Sequence, residues 1–521
     1  MAESSPDKTR TVADIMSRPV VTVSPDDKMA EAAATMREHR VGSVVAVDQL
    51  RPVGILTERD LVRFTASGGD AGAAVVSEWM TTAPDSVGPD VDVVAAFASL
   101  SEHGYRHIPV VEADELVGIV SMRDLMRIAQ IQPAENLAHE IPRGLEGVVV
   151  AETDIGDVRG LEGFYHYRQY SAVDLAESRT LEDVWHLMFE GALPSLAERA
   201  EFAARIAPLR AIPAPVAAAL PEVARLGTDA PPLDMLRTTI SLLGAHLGFR
   251  PSLDVDAAQL RQDAMRVCAV VPTFLTAIHR IQHGLEPIEP DPELAYAANY
   301  LYMLNGTVPE PDHARAVEQY LISTIDHGFN ASTFTARVVA STGADVGACV
   351  VAAIGALSGP LHGGAPSRAL DLVDEIGSAD RIDAVIRARL DAGERIMGFG
   401  HAVYRTADPR AVMLRRLAAE LATTDEERAF VELVGQVERR VLELLEERKP
   451  GRALNANVEL YAGVVMSLCG IPREMFTPTF AASRVVGWSA HILEQSTETA
   501  IIRPSARYVG PEPPQPVPLA S

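Results

Sequence analysis

S358-G-P-L-H-G-G-A365 sets one histidine, His362, among glycines and a proline between two apolar helical patterns. Glycines on both sides let the backbone approach a ligand closely and take turns that a side chain forbids, so the imidazole is presented from a shaped loop. G398-F-G-H-A-V-Y-R-T-A-D-P-R410 offers a second histidine, His401, in a loop that ends at Asp408-Pro409-Arg410. N455-A-N-V-E-L-Y-A-G463 adds a carboxylate, Glu459. Two histidines and one carboxylate, each on its own loop or helix start, suit abstraction of a proton next to a carbonyl.

The sequence around these loops reads as helix. Leu181, Val184, Trp185, Met188 and Phe189 fall on one face, and Val434, Val437, Val441, Leu444 and Leu445 on another before Pro450-Gly451. No comparable run of alternating strands is expected between residues 144 and 510. The tail P511-E-P-P-Q-P-V-P518 reads as extended. At 521 residues the chain exceeds one ordinary core, and its 47% hydrophobic and 22% charged residues are globular composition. A formal net charge of -25 argues against a nucleic-acid or anionic-membrane surface, so anionic ligands must meet local arginines. Cys268, Cys349 and Cys469 are dispersed in apolar segments and read as reduced core residues. MAESSPDKTR at the N-terminus has no apolar signal core, and no apolar run reaches membrane-spanning length, so a cytoplasmic location is expected.

Residues 11 to 128 hold an internal repeat offset by 64 residues. Met16 matches Met80, Pro25 matches Pro89, Glu38-His39 matches Glu102-His103, Gly54 matches Gly118 and Asp60 matches Asp124. Each copy reads as an extended segment, a helix, a β pair and a second helix. The first helix faces inward through Met29, Ala33 and Met36, and its counterpart through Val93, Ala96, Phe97 and Leu100. The copies close with G54-I-L-T-E-R-D60 and G118-I-V-S-M-R-D124. A hydroxyl and a helix start can hold phosphate, and a carboxylate three residues later can accept ribose hydroxyls; the alternative is that Asp60 and Asp124 only cap helices. The region resembles a pair of CBS domains, a Bateman module with α/β (βαββα) repeats. The resemblance implies an adenine-nucleotide effector, with Thr57, Asp60, Ser121 and Asp124 as contacts. His39 and His103 read as helix-end residues.

From G144-L-E-G-V-V-V150 to R503-P-S-A-R-Y508 the chain resembles the citrate synthase family, short bacterial type. The three loops, Y296-A-A-N-Y-L-Y-M-L-N-G306 and D326-H-G-F-N-A-S-T-F334 carry the likeness. The resemblance implies a mainly α fold with large and small subdomains, a homodimer or larger homo-oligomer, and oxaloacetate and an acyl-CoA as substrates. His362 is then expected to polarise the thioester carbonyl, His401 to polarise the ketone, and Glu459 to act as base. Arg410, Arg484, Arg503 (donated across the dimer) and His327 are expected on the substrate, and Arg405 on CoA phosphates; guanidinium groups suit carboxylates. No cofactor is implied. No metal is expected either, since the histidines lack close spacing and a carboxylate partner.

The expected organisation is an N-terminal segment 1–10, CBS domains 11–70 and 75–130, a linker 131–143, the catalytic region 144–510 and the tail 511–521. Two positions depart from the family. Glu459 stands where most members carry aspartate, and Gly328 where many carry glutamate after Asp-His. A 2-methylcitrate synthase using propionyl-CoA shares these residues, because one methyl group in a pocket is worth only about 1–3 kcal/mol. The glutamate also motivates a third reading, a catalytically weak metabolite sensor.

Overall fold

The computed structural model describes residues 11–39, 41–93, 96, 107–121, 143–145, 147–226, 231–359, 362, 365–400, 404, 406–448, 455–511 and 513–515, with no side chains at 365–367. Two compact units result, Met1–Val148 and Val149–Ser521.

In the first unit, β1 (Thr22–Val23), β2 (Ser43–Asp48), β3 (Arg51–Thr57) and β4 (Thr81–Thr82) form one sheet in that order. Strands β5 (His107–Glu112) and β6 (Glu115–Ser121) form a second sheet. Both hairpins carry the same irregularity, between Ala46 and Val47 and between Val110 and Val111, which are equivalent positions in the repeat. Helix α1 (Met29–His39) buries Met29 and Met36 as expected, and Ala32 in place of the half-buried Ala33. Helix α2 is Glu58–Ala66.

The copies exchange their leading segments. Ser17 pairs with Ile119, as Thr81 pairs with Ile55. A Cβ on Gly118 would stand 2.2 Å from Met16 Sδ, and one on Gly54 would stand 2.1 Å from Met80 Sδ. The matched glycines are therefore seats for the matched methionines of the opposite copy. Val12 and Met16 join the core of Ile108, Val110 and Val120, while Val76 joins that of Val44, Ala46 and Leu56. Each core is thus completed by the other copy's leader, across the expected boundary.

The second unit opens with a three-stranded antiparallel sheet, β7 (Gly156–Arg159), β8 (Phe164–Tyr167) and β9 (Tyr170–Ser171), which the sequence reading did not anticipate. These strands are too short to show alternation over several turns. Tyr165 and Tyr167 are buried and hydroxyl-bonded to the carbonyls of Ser323 and Ile322 at 3.0 and 2.8 Å, which holds the sheet on the helices. The rest is helical. Helix α3 (Leu181–Glu190) starts at a Thr180/Asp183 capping box, ends at left-handed Gly191, and buries all five expected apolar residues. Helix α4 (Ala257–Gln282) is long and apolar enough to cross a bilayer, but 89% of its apolar window is buried in the fold. The three cysteines are free and buried.

One large core spans most of this unit. A second, smaller core joins Leu372, Ile376, Ile382, Ile386, Ile396, Val437, Val441 and Leu444. The two cores correspond to the large and small subdomains. The linker, except Arg143, and most of the tail lie outside the described residues.

Candidate active site

Helix α5 (Pro311–Thr324) runs into Asp326, and helix α6 (Ala331–Ala340) begins at the Asn330 cap. Helix α7 (Val346–Leu357) leads to the His362 turn, where His362 N–H donates to Gly359 O at 3.0 Å. His362 Nε2 lies 2.8 Å from Ser332 Oγ, in the first turn of α6. Trp488 Nε1–H donates to the same oxygen at 3.1 Å. Ser332 Oγ–H donates to Asn330 Oδ1 at 2.8 Å, so the same oxygen is left to accept from Trp488 and to face His362 Nε2 with a lone pair. Burial, helped by the Arg484 charge, pushes the His362 pKa down to about 4, so the ring is neutral at pH 7.

Helix α8 (Pro409–Leu421) is capped by Asp408, helix α9 (Val458–Leu468) by Asn457, and helix α10 (Phe476–Gln495) carries Arg484, Trp488 and His491. Arg484 is 2% exposed; its Nε–H donates to Thr324 O at 2.8 Å and its guanidinium lies 4.6 Å from the Phe480 ring centre. Among the described residues no carboxylate lies within ion-pair distance of it, and burial lowers its pKa. A buried guanidinium held by one carbonyl and a ring suits an incoming carboxylate. The nearby acid, Asp326, is buried with His491 Nε2 at 3.2 Å. Burial works against its charge, but His491 and its other partners hold it below the usual carboxylate range.

The last loops are joined through backbone. Gly400 N–H donates to Asn455 O at 2.8 Å and Asn457 N–H to Gly398 O at 3.0 Å. This clamp sets the start of α9 beside the His401 loop. Asn457 Oδ1 accepts from Glu459 N at 3.1 Å, and its Nδ2 lies 3.4 Å from Glu459 Oε2. Asp408 grips Arg410 with both oxygens, at 3.0 Å from Nε and 2.8 Å from Nη2, and accepts Val458 N–H at 3.2 Å. The pair is buried on both sides. That edge of Arg410 is committed within the chain, so a substrate grip must use another. Burial raises the Glu459 pKa to about 7 against the pull of Arg410.

These side chains share one electrostatic neighbourhood, since buried Tyr320 feels the charges of Arg484, Arg410 and Glu459 together. His327 Nε2 lies 3.0 Å from the Tyr404 hydroxyl, and Arg410 sits 5.7 and 5.9 Å from the rings of Tyr165 and Tyr404. His327, His362, Arg410, Arg484 and Glu459 are thus brought together. Arg503 stands apart, exposed on the irregular segment after α10. His401 and Arg405 lie outside the described residues. Gly328 has φ +60° and donates to Asp326 Oδ2 at 3.0 Å, and a Cβ there would stand 3.2 Å from Val158. A glutamate at this backbone would be strained.

Sequence reasoning passed over Ser332 and the part played by Asp408. Each lay inside a quoted motif, and the cap pattern before an apolar run was the available signal. In the first unit, Asp60 Oδ2 accepts from Thr57 N and Oγ1 at 3.0 and 2.7 Å, and Oδ1 lies 3.3 Å from Arg63. Asp60 thus closes a capping box with Thr57 at the start of α2. Ser121 ends β6, and Asp124 lies outside the described residues.

The model for the citrate synthase C-terminal domain matches residues 144–505. The chain belongs to the citrate synthase family. The CBS-domain model matches residues 12–67 and 76–130, just ahead of the citrate synthase region. The chain is 36% identical over 370 residues to a citrate synthase of Deinococcus radiodurans, covering 71% of this chain and 96% of that protein. It is 40% identical over 373 residues to a 2-methylcitrate synthase of Mycobacterium tuberculosis, covering 72% and 91%. Among solved structures, citrate synthase from Thermotoga maritima superposes with a TM-score of 0.63 at 35% identity, over 73% of this chain and 98% of that one. The Thermoplasma acidophilum citrate synthase, a ternary complex with carboxymethyl coenzyme A and oxaloacetate, gives 0.67 at 28% identity, over 73% and 99%. The citrate synthase region is therefore an acyltransferase of this family, and a CBS pair precedes it.

Proposed function

We propose that the enzyme condenses acetyl-CoA with oxaloacetate to give citrate and CoA, and that an adenine nucleotide bound by the CBS pair changes its rate. One observation carries the chemical part. Within one site, Glu459 is displaced up to about 7 and His362 down to about 4. Groups pushed apart in this way divide into a base and a neutral donor.

Glu459 takes the methyl proton of acetyl-CoA. A base alone cannot succeed, because the carbanion is too unstable unless the oxygen is stabilised as charge develops. Neutral His362, held at Nε2 by the Ser332 hydroxyl, polarises the thioester oxygen. The enolate carbon then attacks the oxaloacetate ketone, and His401 protonates the alkoxide. Arg484, with Arg410, His327 and Arg503 of a neighbouring subunit, holds the two carboxylates, while Arg405 meets CoA phosphate. Water finally cleaves the citryl thioester and releases CoA.

Oxaloacetate-dependent release of free CoA from acetyl-CoA tests this directly, and its absence with every short acyl-CoA removes the proposal. The 40% identity to a 2-methylcitrate synthase favours a second reading with propionyl-CoA. The ratio of the two kcat/KM values decides between them. Retention of His362, His401 and the three candidate arginines, which a sensor need not keep in catalytic register, weighs against a mere metabolite sensor. For the CBS pair, calorimetry with AMP, ADP, ATP and S-adenosylmethionine identifies the ligand. Binding that leaves kcat and KM unchanged removes the regulatory part, since an effector acts only through differential affinity for two states.

A further inference from the structure

H279-R-I-Q-H283 puts two imidazoles one turn apart at the C-terminal end of α4. Glu474 faces them from the turn Arg473–Met475 that leads into α10. Glu474 Oε1 lies 3.8 Å from His279 Nδ1 and 3.5 Å from His283 Nε2, and the three ligand atoms all fall within 4.8 Å of one another. Zinc–nitrogen bonds of about 2.0–2.1 Å put neighbouring ligands of a tetrahedral centre about 3.3–3.4 Å apart. Two of the three separations are therefore within half an ångström of that geometry.

Two independent features of the histidines point to an ion. His279 is only 7% exposed, and its Nδ1 is a buried nitrogen without a hydrogen-bond partner. Such an atom is rare in a native fold and calls for a water or an ion. His283 Nδ1–H donates to the His279 carbonyl at 2.8 Å, which leaves the lone pair on Nε2, the atom turned to Glu474. A backbone carbonyl on the far nitrogen is the usual support of a ligating histidine. The adjacent cations are engaged elsewhere: Arg280 with the carbonyls of Glu286 and Leu304, and Arg473 with Asp371 and Asp374. Among the described residues, Glu474 has no arginine or lysine within ion-pair distance.

We propose that His279, His283 and Glu474 bind one divalent transition-metal ion of the Zn2+ class, joining the end of α4 to the entry of α10. Two nitrogens and a carboxylate suit zinc better than calcium or magnesium, which take oxygen ligands. His283 and Glu474 are about half exposed, so water completes the coordination. The site departs from the expectation of no metal, which weighed the loop histidines and not this pair.

The untagged full-length protein, stripped with chelator, is titrated with Zn2+ by calorimetry and with Co2+ by visible absorption. His283→Ala and Glu474→Gln serve as variants, because both positions are half exposed and neither is in the active site. One Zn2+ per chain is expected, with a four- or five-coordinate Co2+ spectrum and a higher Tm in wild type alone. Each variant should bind Zn2+ about tenfold more weakly or worse. No stoichiometric binding, or binding undiminished in either variant, overturns the proposal.

Discussion

Varying pH across 6 to 8 tests the base assignment through the burial of Glu459. Its carboxyl rises from the ordinary 4.5 to about 7, so at pH 6 about one molecule in eleven carries the carboxylate and at pH 8 about ten in eleven. His362, at about 4, stays neutral throughout and contributes no slope. With Glu459 as base, kcat/KM for acetyl-CoA should climb about tenfold between these pH values, because that parameter follows the free enzyme's base. CoA release at saturating oxaloacetate, followed by thiol reagent and corrected for reagent pH response, measures it. Glu459→Gln should lose about a hundredfold or more at pH 8. The shift also sets a stability test. The folded state binds this proton more tightly than the unfolded chain, so the stabilisation is full below about 4.5 and is lost as pH rises through about 7, by about 3 kcal/mol. The glutamine variant escapes that loss and should be the more stable protein at pH 8. A flat profile from pH 6 to 8, or an acid limb near 4.5, refutes the reasoning. So does a glutamine variant that keeps its activity.

The remaining expectations concern groups around the base. Arg484→Met removes a buried cation that has no carboxylate partner among the described residues; it should raise KM for oxaloacetate about a hundredfold, yet leave Tm unchanged or higher. A marked fall in Tm would show that the charge serves the fold. Ser332→Ala removes the partner of His362 Nε2 and should lower kcat about tenfold to a hundredfold, with oxaloacetate affinity by calorimetry unchanged. Equal loss in both would mean a packing role. Gly487→Ala would set a Cβ 2.0 Å from the Ile325 carbonyl oxygen, beside Asp326, and should destabilise the unit by about 1–3 kcal/mol in denaturant unfolding. An unchanged midpoint would show that α10 can move off this contact.

What the sequence disclosed, and what it hid, follows from how far each feature reaches along the chain. The faces of α3 and of the helix Asp425–Arg448 are periodic over several turns, and all but partly buried Leu445 of their expected residues are buried. The loops at His362 and Glu459 announced themselves by residue type. The short strands β7 to β9 did not, since four residues or fewer carry no readable period. The exchange of leading segments in the CBS pair was hidden for another reason. Met16 and Gly118, or Met80 and Gly54, look like markers of one repeat until their contact shows that each copy marks the other. The same holds in the active site. Ser332 is an ordinary first-turn residue of α6, and only Trp488 and His362, brought to its hydroxyl from other segments, give it a role. Asp408 caps the helix that begins at Pro409. Yet the same carboxylate also fixes Arg410 and receives the first amide of α9, so one cap ties the proposed substrate-binding cation to the helix that carries the proposed base. A local signal can name such a residue as structural; its wider contacts exist only where several segments converge.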